Sequence, residues 1–189
     1  MEERGLAYSR ALERVIQLFK QVKAPYMLVG GIAVGYYGYP RATLDIDVML
    51  ELSLEGAKRL VKIAKGAGFD LHEGEVLELT RVGNRFVAMS GGRRVDFWLA
   101  KSMREREMLS RRHRVKLFGR QTWVCSLEDL ILSKLDAGRN KDHEDVLGIL
   151  IRQWEKIKKD ALLQKARELG SEDKLKNLMK RAEKVLESS

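Results

Sequence analysis

The chain of 189 residues carries 36 Lys and Arg against 27 Asp and Glu, a formal net charge of +9 at neutral pH, with 44% hydrophobic and 33% charged residues. That length and apolar content suit one well-filled core and argue against disorder. No run approaches the ~20 apolar residues of a membrane span, Met1-Glu2-Glu3-Arg4 lacks an apolar signal stretch, and the single Cys125 excludes an intrachain disulfide, so a cytoplasmic protein with no membrane partner is expected.

Leu6 to Val22 repeats apolar residues at helical spacing (Leu12, Val15, Ile16, Phe19), with Pro25 beyond, and predicts an amphipathic helix. Tyr26 to Val29 is a short apolar strand running into Gly30-Gly31. A glycine pair there lets backbone N–H groups approach phosphate oxygens, and a helix start just after it favours negative charge. Ile32 to Tyr37 reads as a short helix broken by Gly38 and Pro40. Arg41 and Thr43 follow, and Asp45 to Leu52 reads as a strand with Asp45 and Asp47 on one face and Ile46 and Val48 turned into a core. Two carboxylates on one rigid strand match the oxygen ligands that a hard divalent cation such as Mg²⁺ requires. Taken singly, Asp-x-Asp is an ordinary strand end and Gly-Gly an ordinary turn; their conjunction across thirteen residues of spacer singles the segment out.

Leu54 to Ala67 reads as a covering helix stopped by Gly66 and Gly68. Val76 to Thr80, Arg85 to Met89 and Arg94 to Leu99 read as successive strands, turning at Gly83 and Gly91-Gly92. In the last of them Val95, Phe97 and Leu99 alternate with Arg94, Asp96 and Trp98, which sets Asp96 on the face away from the apolar set. An acid between Val and Phe is costly to bury unless paired or coordinated, so Asp96 is either a ligand or the partner of Arg93 or Arg94. Between Lys101 and Arg120 stand eight basic residues against two acidic ones. Clustered Lys and Arg bind nucleic acid by counterion release, so Arg111, Arg112 and Arg114 are candidate nucleic-acid contacts; a solvated basic surface is the alternative. Val115 to Val124 holds one short strand or two.

From Ser126 onward the pattern is helical. Ser126 is an N-cap, Leu127, Leu130, Ile131 and Leu135 form an apolar stripe, and Gly138 ends the helix. Lys134 lies off that stripe. Arg139, Lys141, Asp142 and Asp145 either serve a site or decorate a solvated face. The tail from Glu155 to Glu187 has apolar residues at helical spacing and a break near Gly170-Ser171. Trp98, Trp123 and Trp154 read as core or interface anchors rather than base-stacking platforms. Early helix, a mixed and largely antiparallel sheet, and late helices give an α+β architecture, with residues 1–125 as a core and 126–189 as a helical region packed on it.

Strand, Gly30-Gly31, helix, Arg41 with Thr43, then a strand carrying Asp45-Ile46-Asp47 resembles the signature of the DNA polymerase beta-like nucleotidyltransferase superfamily, above all its small single-domain members. Ser126 through Asp145 resembles the helix, glycine break and second helix that follow the catalytic sheet in those enzymes. The resemblance implies transfer of an NMP group from an NTP to a hydroxyl acceptor, with two Mg²⁺ ions held by Asp45, Asp47 and Asp96 and with Asp96 on the side of the attacking hydroxyl. It also implies a nucleotide held by Gly30, Gly31, Arg41, Thr43, Lys134, Lys141 and Asp142. Likeness to toxin-type members points to RNA or tRNA as acceptor and to a cognate antitoxin or other partner protein. Likeness to aminoglycoside nucleotidyltransferases points instead to a small hydroxylated molecule, and a protein side chain or a non-catalytic nucleotide-binding module are further readings. The chain departs from CCA-adding enzymes, with Val34-Gly35 where those carry Arg-Asp.

Overall fold

The computed structural model describes residues 2–41, 43 and 45–188, with side chains from Tyr8 onward. Its described elements run α1 (Glu2–Val22), β1 (Tyr26–Leu28), α2 (Gly30–Tyr37), β2 (Ile46–Leu50), α3 (Leu54–Gly66), β3 (Phe69–Asp70), α4 (Glu73–Val82), β4 (Arg85–Ser90), β5 (Arg93–Leu99), α5 (Met103–Ser110), β6 (His113–Leu117), β7 (Arg120–Val124), α6 (Leu127–Ala137), α7 (Asn140–Gln153), α8 (Lys159–Glu168) and α9 (Glu172–Glu187). The fold is α+β, as the order of sequence patterns predicts. The chain forms two compact units, one of residues 1–32 and 42–125, the other of residues 33–41 and 126–189.

The first unit is built on a seven-stranded mixed sheet in the order β3-β4-β5-β2-β1-β7-β6. β2 pairs antiparallel with β1 and parallel with β5, and β7 runs parallel to β1. Period-two alternation decides which face is dry. Ile46, Val48 and Leu50 are fully buried while Asp47 and Met49 between them are not. Phe97 joins the dry face, stacked on Phe86 with ring centroids 4.9 Å apart, and Phe19 of α1 reaches it at 6.3 Å. α1 and α3 pack on each other over this face, contributing Leu12, Val15, Ile16, Leu60 and Val61. Each such side chain contributes about 1.5–3 kcal/mol by leaving water, which fixes the register that holds Asp47 and Asp96 on the opposite face.

Two elements differ from the sequence expectation. Val76 to Thr80, expected as a strand, lies inside α4. Local capping outweighs strand propensity there: the His72 imidazole accepts the Glu75 N–H, Glu73 and Glu75 occupy the first turn, Arg81 the last, and the Thr80 hydroxyl donates to the Val76 carbonyl. Only Val76 of this helix is buried, so no alternating face exists for a sheet to claim. The second difference is at the glycine pair, which belongs to α2 itself rather than to a turn before it, and β2 starts at Ile46, leaving Asp45 in the bend ahead of the strand.

The second unit is helical. α7 packs on α6 and α9, and α8 on α9, around Leu130, Ile131, Leu135, Val146, Ile149, Leu150, Leu162, Leu175 and Leu178. Gly138 closes α6 in the left-handed conformation, φ 64°, its N–H donated to the Lys134 carbonyl. Close backbone approach explains two further glycines: a Cβ on Gly148 would lie 2.9 Å from the Tyr39 ring, and one on Gly38 3.0 Å from Ile149.

Candidate active site

Parallel pairing of β2 with β5 sets Ile46 opposite Val95, Asp47 opposite Asp96 and Met49 opposite Trp98. Residues opposite each other in a ladder share a face, so Asp47 and Asp96 stand side by side on the face turned away from the core. Like charges so placed repel, and the structure answers with arginine. Arg94 grips Asp96 through two parallel hydrogen bonds, Nε to Oδ2 at 2.8 Å and Nη2 to Oδ1 at 2.9 Å, and Arg85 from β4 adds a contact at 3.3 Å. Arg94, one of the two arginines that the sequence offered to Asp96, pairs with it. Asp47 accepts from the Trp98 indole N–H at 3.4 Å. The Arg94 guanidinium is held protonated more firmly than usual, first by its hydrogen bonds to Asp96 and then by the fields of Asp96, Asp45 and Asp47. One internal cation therefore feels all three acids.

The glycine pair closes the end of this face. Gly30 has φ +57°, and a Cβ on it would lie 2.1 Å from the Asp47 Oδ2; a Cβ on Gly31 would lie 2.7 Å from the Thr43 hydroxyl. Only glycine admits both side chains. Thr43 donates to the Asp45 carbonyl at 3.1 Å, fixing the bend before β2. Tyr8 of α1 completes the surroundings. Its buried hydroxyl finds no well-formed hydrogen bond, although the Thr43 hydroxyl lies beside it, and burial followed by the Asp47 and Asp45 charges drives its ionisation well above the ordinary tyrosine range. It stays a neutral phenol. Nothing in the α1 pattern sets Tyr8 apart, and Arg85 becomes legible only through the register that puts it opposite Trp98.

Among the described residues no three acids, histidines or cysteines are gathered into a ready-made metal cluster. The donor chemistry nonetheless fits hard divalent ions: Asp47 and Asp96 present carboxylates at one register position, Asp45 is two residues away, and the positive charge they need now comes from Arg94 and Arg85.

Arg41, Lys134, Asp142 and Asp145 come together in the second unit. Lys134, 7% exposed, donates to Asp142 at 2.7 Å and Asp145 at 2.8 Å; Arg139 donates to Asp142 at 2.6 Å, and Arg41 grips Asp145 through two bonds at 2.7 and 2.9 Å. Burial works against ionising Asp142, but the bonds from Arg139 and Lys134 outweigh it and hold its carboxyl at about 2. Asp145 is likewise lowered, burial being overcome by Arg41 and Lys134. Asp142 and Asp145 are therefore buried ion-pair partners rather than a solvated helix face, whereas Lys141 is exposed and stands apart from these bonds.

The basic segment is divided by its contacts. Arg111 pairs with Glu107, Arg112 lies over the Trp123 ring at 4.6 Å and donates to the Leu109 carbonyl, and Arg114 stands exposed on β6. Arg112 and Arg114, with Lys20, Lys23 and Trp123, line a cleft of about 450 Å³ at the Pro25–Tyr26 end of β1, a strand's length from Gly30. Each of the three tryptophans carries a cation over its ring, Arg85 on Trp98, Arg112 on Trp123 and Lys159 on Trp154, and none is fully buried. Trp98 is half-buried on the face away from the dry core because it shares the parity of Asp96.

No family model matches the chain, and no curated protein does. Among solved structures it is similar to the antibiotic-resistance factor ANT(2'')-Ia, with a TM-score of 0.54, 16% identity, and 75% of this chain and 81% of that one covered. It is similar to the lincosamide antibiotic adenylyltransferase LnuA with lincomycin bound, at 0.52 and 15%, covering 74% and 94%. A protein of Thermotoga maritima assigned as a nucleotidyltransferase matches at 0.50 and 18%, covering 79% and 92%. At these identities the likeness is one of fold: the chain has the α+β fold of the polymerase beta-like nucleotidyltransferases.

Proposed function

We propose that the protein is a Mg²⁺-dependent nucleotidyltransferase that moves an NMP group from an NTP to a hydroxyl of RNA. The observation that carries the proposal is the side-by-side placement of Asp47 and Asp96 on the sheet face away from the dry core, Asp96 buried beneath Arg94 and Arg85 and Gly30 packed against Asp47. In the reaction a new bond forms between the acceptor oxygen and the α-phosphorus while the α–β phosphoanhydride breaks, and pyrophosphate leaves with the bonding electrons. When bound, two Mg²⁺ ions would supply charge to the triphosphate and ease ionisation of the acceptor hydroxyl. Asp45 and Asp47 would hold the ion on the nucleotide side. Asp96 would sit nearest the hydroxyl and take part in removing its proton. The N–H groups at the start of α2 and the Thr43 hydroxyl would receive phosphate oxygens. Lys134 could reach a phosphate only by leaving Asp142 and Asp145, so its role here is to fix the α6–α7 corner and, through Asp145, Arg41.

The net charge of +9 and the basic cleft beside Trp123 favour RNA over a neutral small molecule. The second reading is a small hydroxylated acceptor, favoured by the fold shared with ANT(2'')-Ia, which is known in complex with adenylyl-2''-tobramycin. Incubation with Mg²⁺ and each α-labelled NTP, in the presence of total RNA, cell protein or aminoglycosides, separates the two. Label is expected in RNA; label confined to another acceptor reassigns the substrate, and no labelled product in any arm overturns the activity.

A further inference from the structure

Along the sheet the order is the Gly30 bend after β1, Asp47 on β2, Asp96 on β5, then Arg85 and Val87 on β4. In-line displacement needs the attacking and leaving oxygens on opposite sides of the phosphorus. With the triphosphate at the glycine end, the acceptor must arrive over β4. On that side the described sheet ends in the two-residue β3 opposite Met89 and Ser90, with α4 packed against β4, and the Arg85 side chain itself is exposed. What waits there is a planar cation on an indole: the Arg85 guanidinium lies 4.9 Å from the Trp98 ring centroid, touches Asp96 at 3.3 Å, and is 41% exposed. Its outer face is a stacking surface beside the acid assigned to the attacking hydroxyl. Arg94, 42% exposed, is the next charge along and can meet a phosphate once Asp96 turns to its reaction partners.

We propose that Arg85, seated on Trp98, is the docking group for the terminal nucleotide of a single-stranded nucleic-acid acceptor, the base stacking on the guanidinium and the preceding phosphodiester meeting Arg94. Bases stack on guanidinium planes as they do on aromatic rings, without strong sequence preference. The same arginines repel a polycationic acceptor, which needs acidic walls, so this surface selects nucleic acid over aminoglycosides. The assignment rests on the transferase reading and names the acceptor side of that site.

The test uses the full chain without Mg²⁺ or NTP and a fluorescently labelled oligoribonucleotide with a free 3′ end. Anisotropy gives affinity and salt slope for the unmodified protein, Arg85→Ala, Arg85→Lys and Arg94→Ala. Arg85→Ala should weaken binding about tenfold or more. Arg85→Lys, which keeps the charge but loses the plane, should fall nearly as far with its salt slope unchanged, and Arg94→Ala should lower the slope by about 0.7. Oligonucleotide quenching of Trp98 fluorescence in a Trp123→Phe/Trp154→Phe background should follow the same ranking. Equal affinity of the unmodified protein and Arg85→Ala, full rescue by Arg85→Lys, or equal competition by a polycationic aminoglycoside overturns the proposal. Binding of Mg·ATP to the unmodified protein is measured alongside. Intact Mg·ATP binding without Arg85-dependent oligonucleotide binding refutes the docking surface and leaves the transferase reading standing; the converse refutes the transferase reading alone.

Discussion

At the scale of single residues, the candidate site is a problem in charge placement. Asp47 and Asp96 are neighbours in a parallel ladder, and without compensation they would repel; Arg94 and Arg85 supply the compensation from the same face. The glycines serve the acids rather than the turn. Gly30→Ala would set a Cβ against the Asp47 carboxylate at φ +57°, so the variant should lose about 1–2 kcal/mol of stability and much of its ATP binding. Thermal unfolding and calorimetry on the same sample check both, and a variant with unchanged melting and ATP affinity would show that the glycine is replaceable. The acids and Gly30 are legible in the sequence because their spacing is a pattern. Tyr8 and Arg85 are not, since each reaches the acids through tertiary packing that no local pattern encodes.

Among elements, β2 and β5 are readable because apolar residues fall at every second position, Ile46, Val48 and Leu50 on one and Val95, Phe97 and Leu99 on the other, even though the arginines bury Asp96 between them. The α4 segment reads wrongly as a strand because its apolar run is short and its helix signals lie in the cap at His72 and the flanking charges. The α6–α7 corner shows what a run of charged residues conceals. Lys134 is buried between two acids, so Lys134→Met should cost about 3 kcal/mol, roughly 6–12 °C in melting temperature for a chain of this size. Asp142 and Asp145 titrate below their unfolded values, so the stability they contribute is full above the ordinary carboxylate range and is lost as pH falls through it, for Asp142 down to about 2. Melting curves between pH 5 and pH 2.5 should show that acid loss, and Lys134→Met and Arg139→Ala should each shrink it; an unchanged acid profile in both variants would contradict the network.

For the whole molecule, the excess of positive charge matters through where it gathers. At the Pro25 end of the first unit's sheet, the cleft lined by Arg112 and Arg114 adjoins a second of about 600 Å³ bearing Arg59, Arg81, Lys101 and Arg106 against Glu51. A nucleic-acid strand crossing this end should release counterions, and Arg112→Ala/Arg114→Ala should lower the salt slope of RNA binding by about 0.7 for each phosphate no longer neutralised. An unchanged slope would make this end ordinary solvated surface. The fold class is legible from element order alone. The grouping of residues 33–41 with the C-terminal helices is not, because it rests on Tyr37, Gly38 and Tyr39 meeting α7, far away in sequence.

In the proposed reaction Asp47 and Asp96 act together at the α-phosphorus of one transferred nucleotidyl group. Single-turnover transfer from α-labelled ATP with Mg²⁺ to a 3′-hydroxyl oligoribonucleotide, comparing the unmodified protein with Asp47→Asn and Asp96→Asn, addresses it directly. Each variant should retain its fold by circular dichroism and lose at least about a hundredfold in rate. Transfer by either variant at the unmodified rate would contradict the claim.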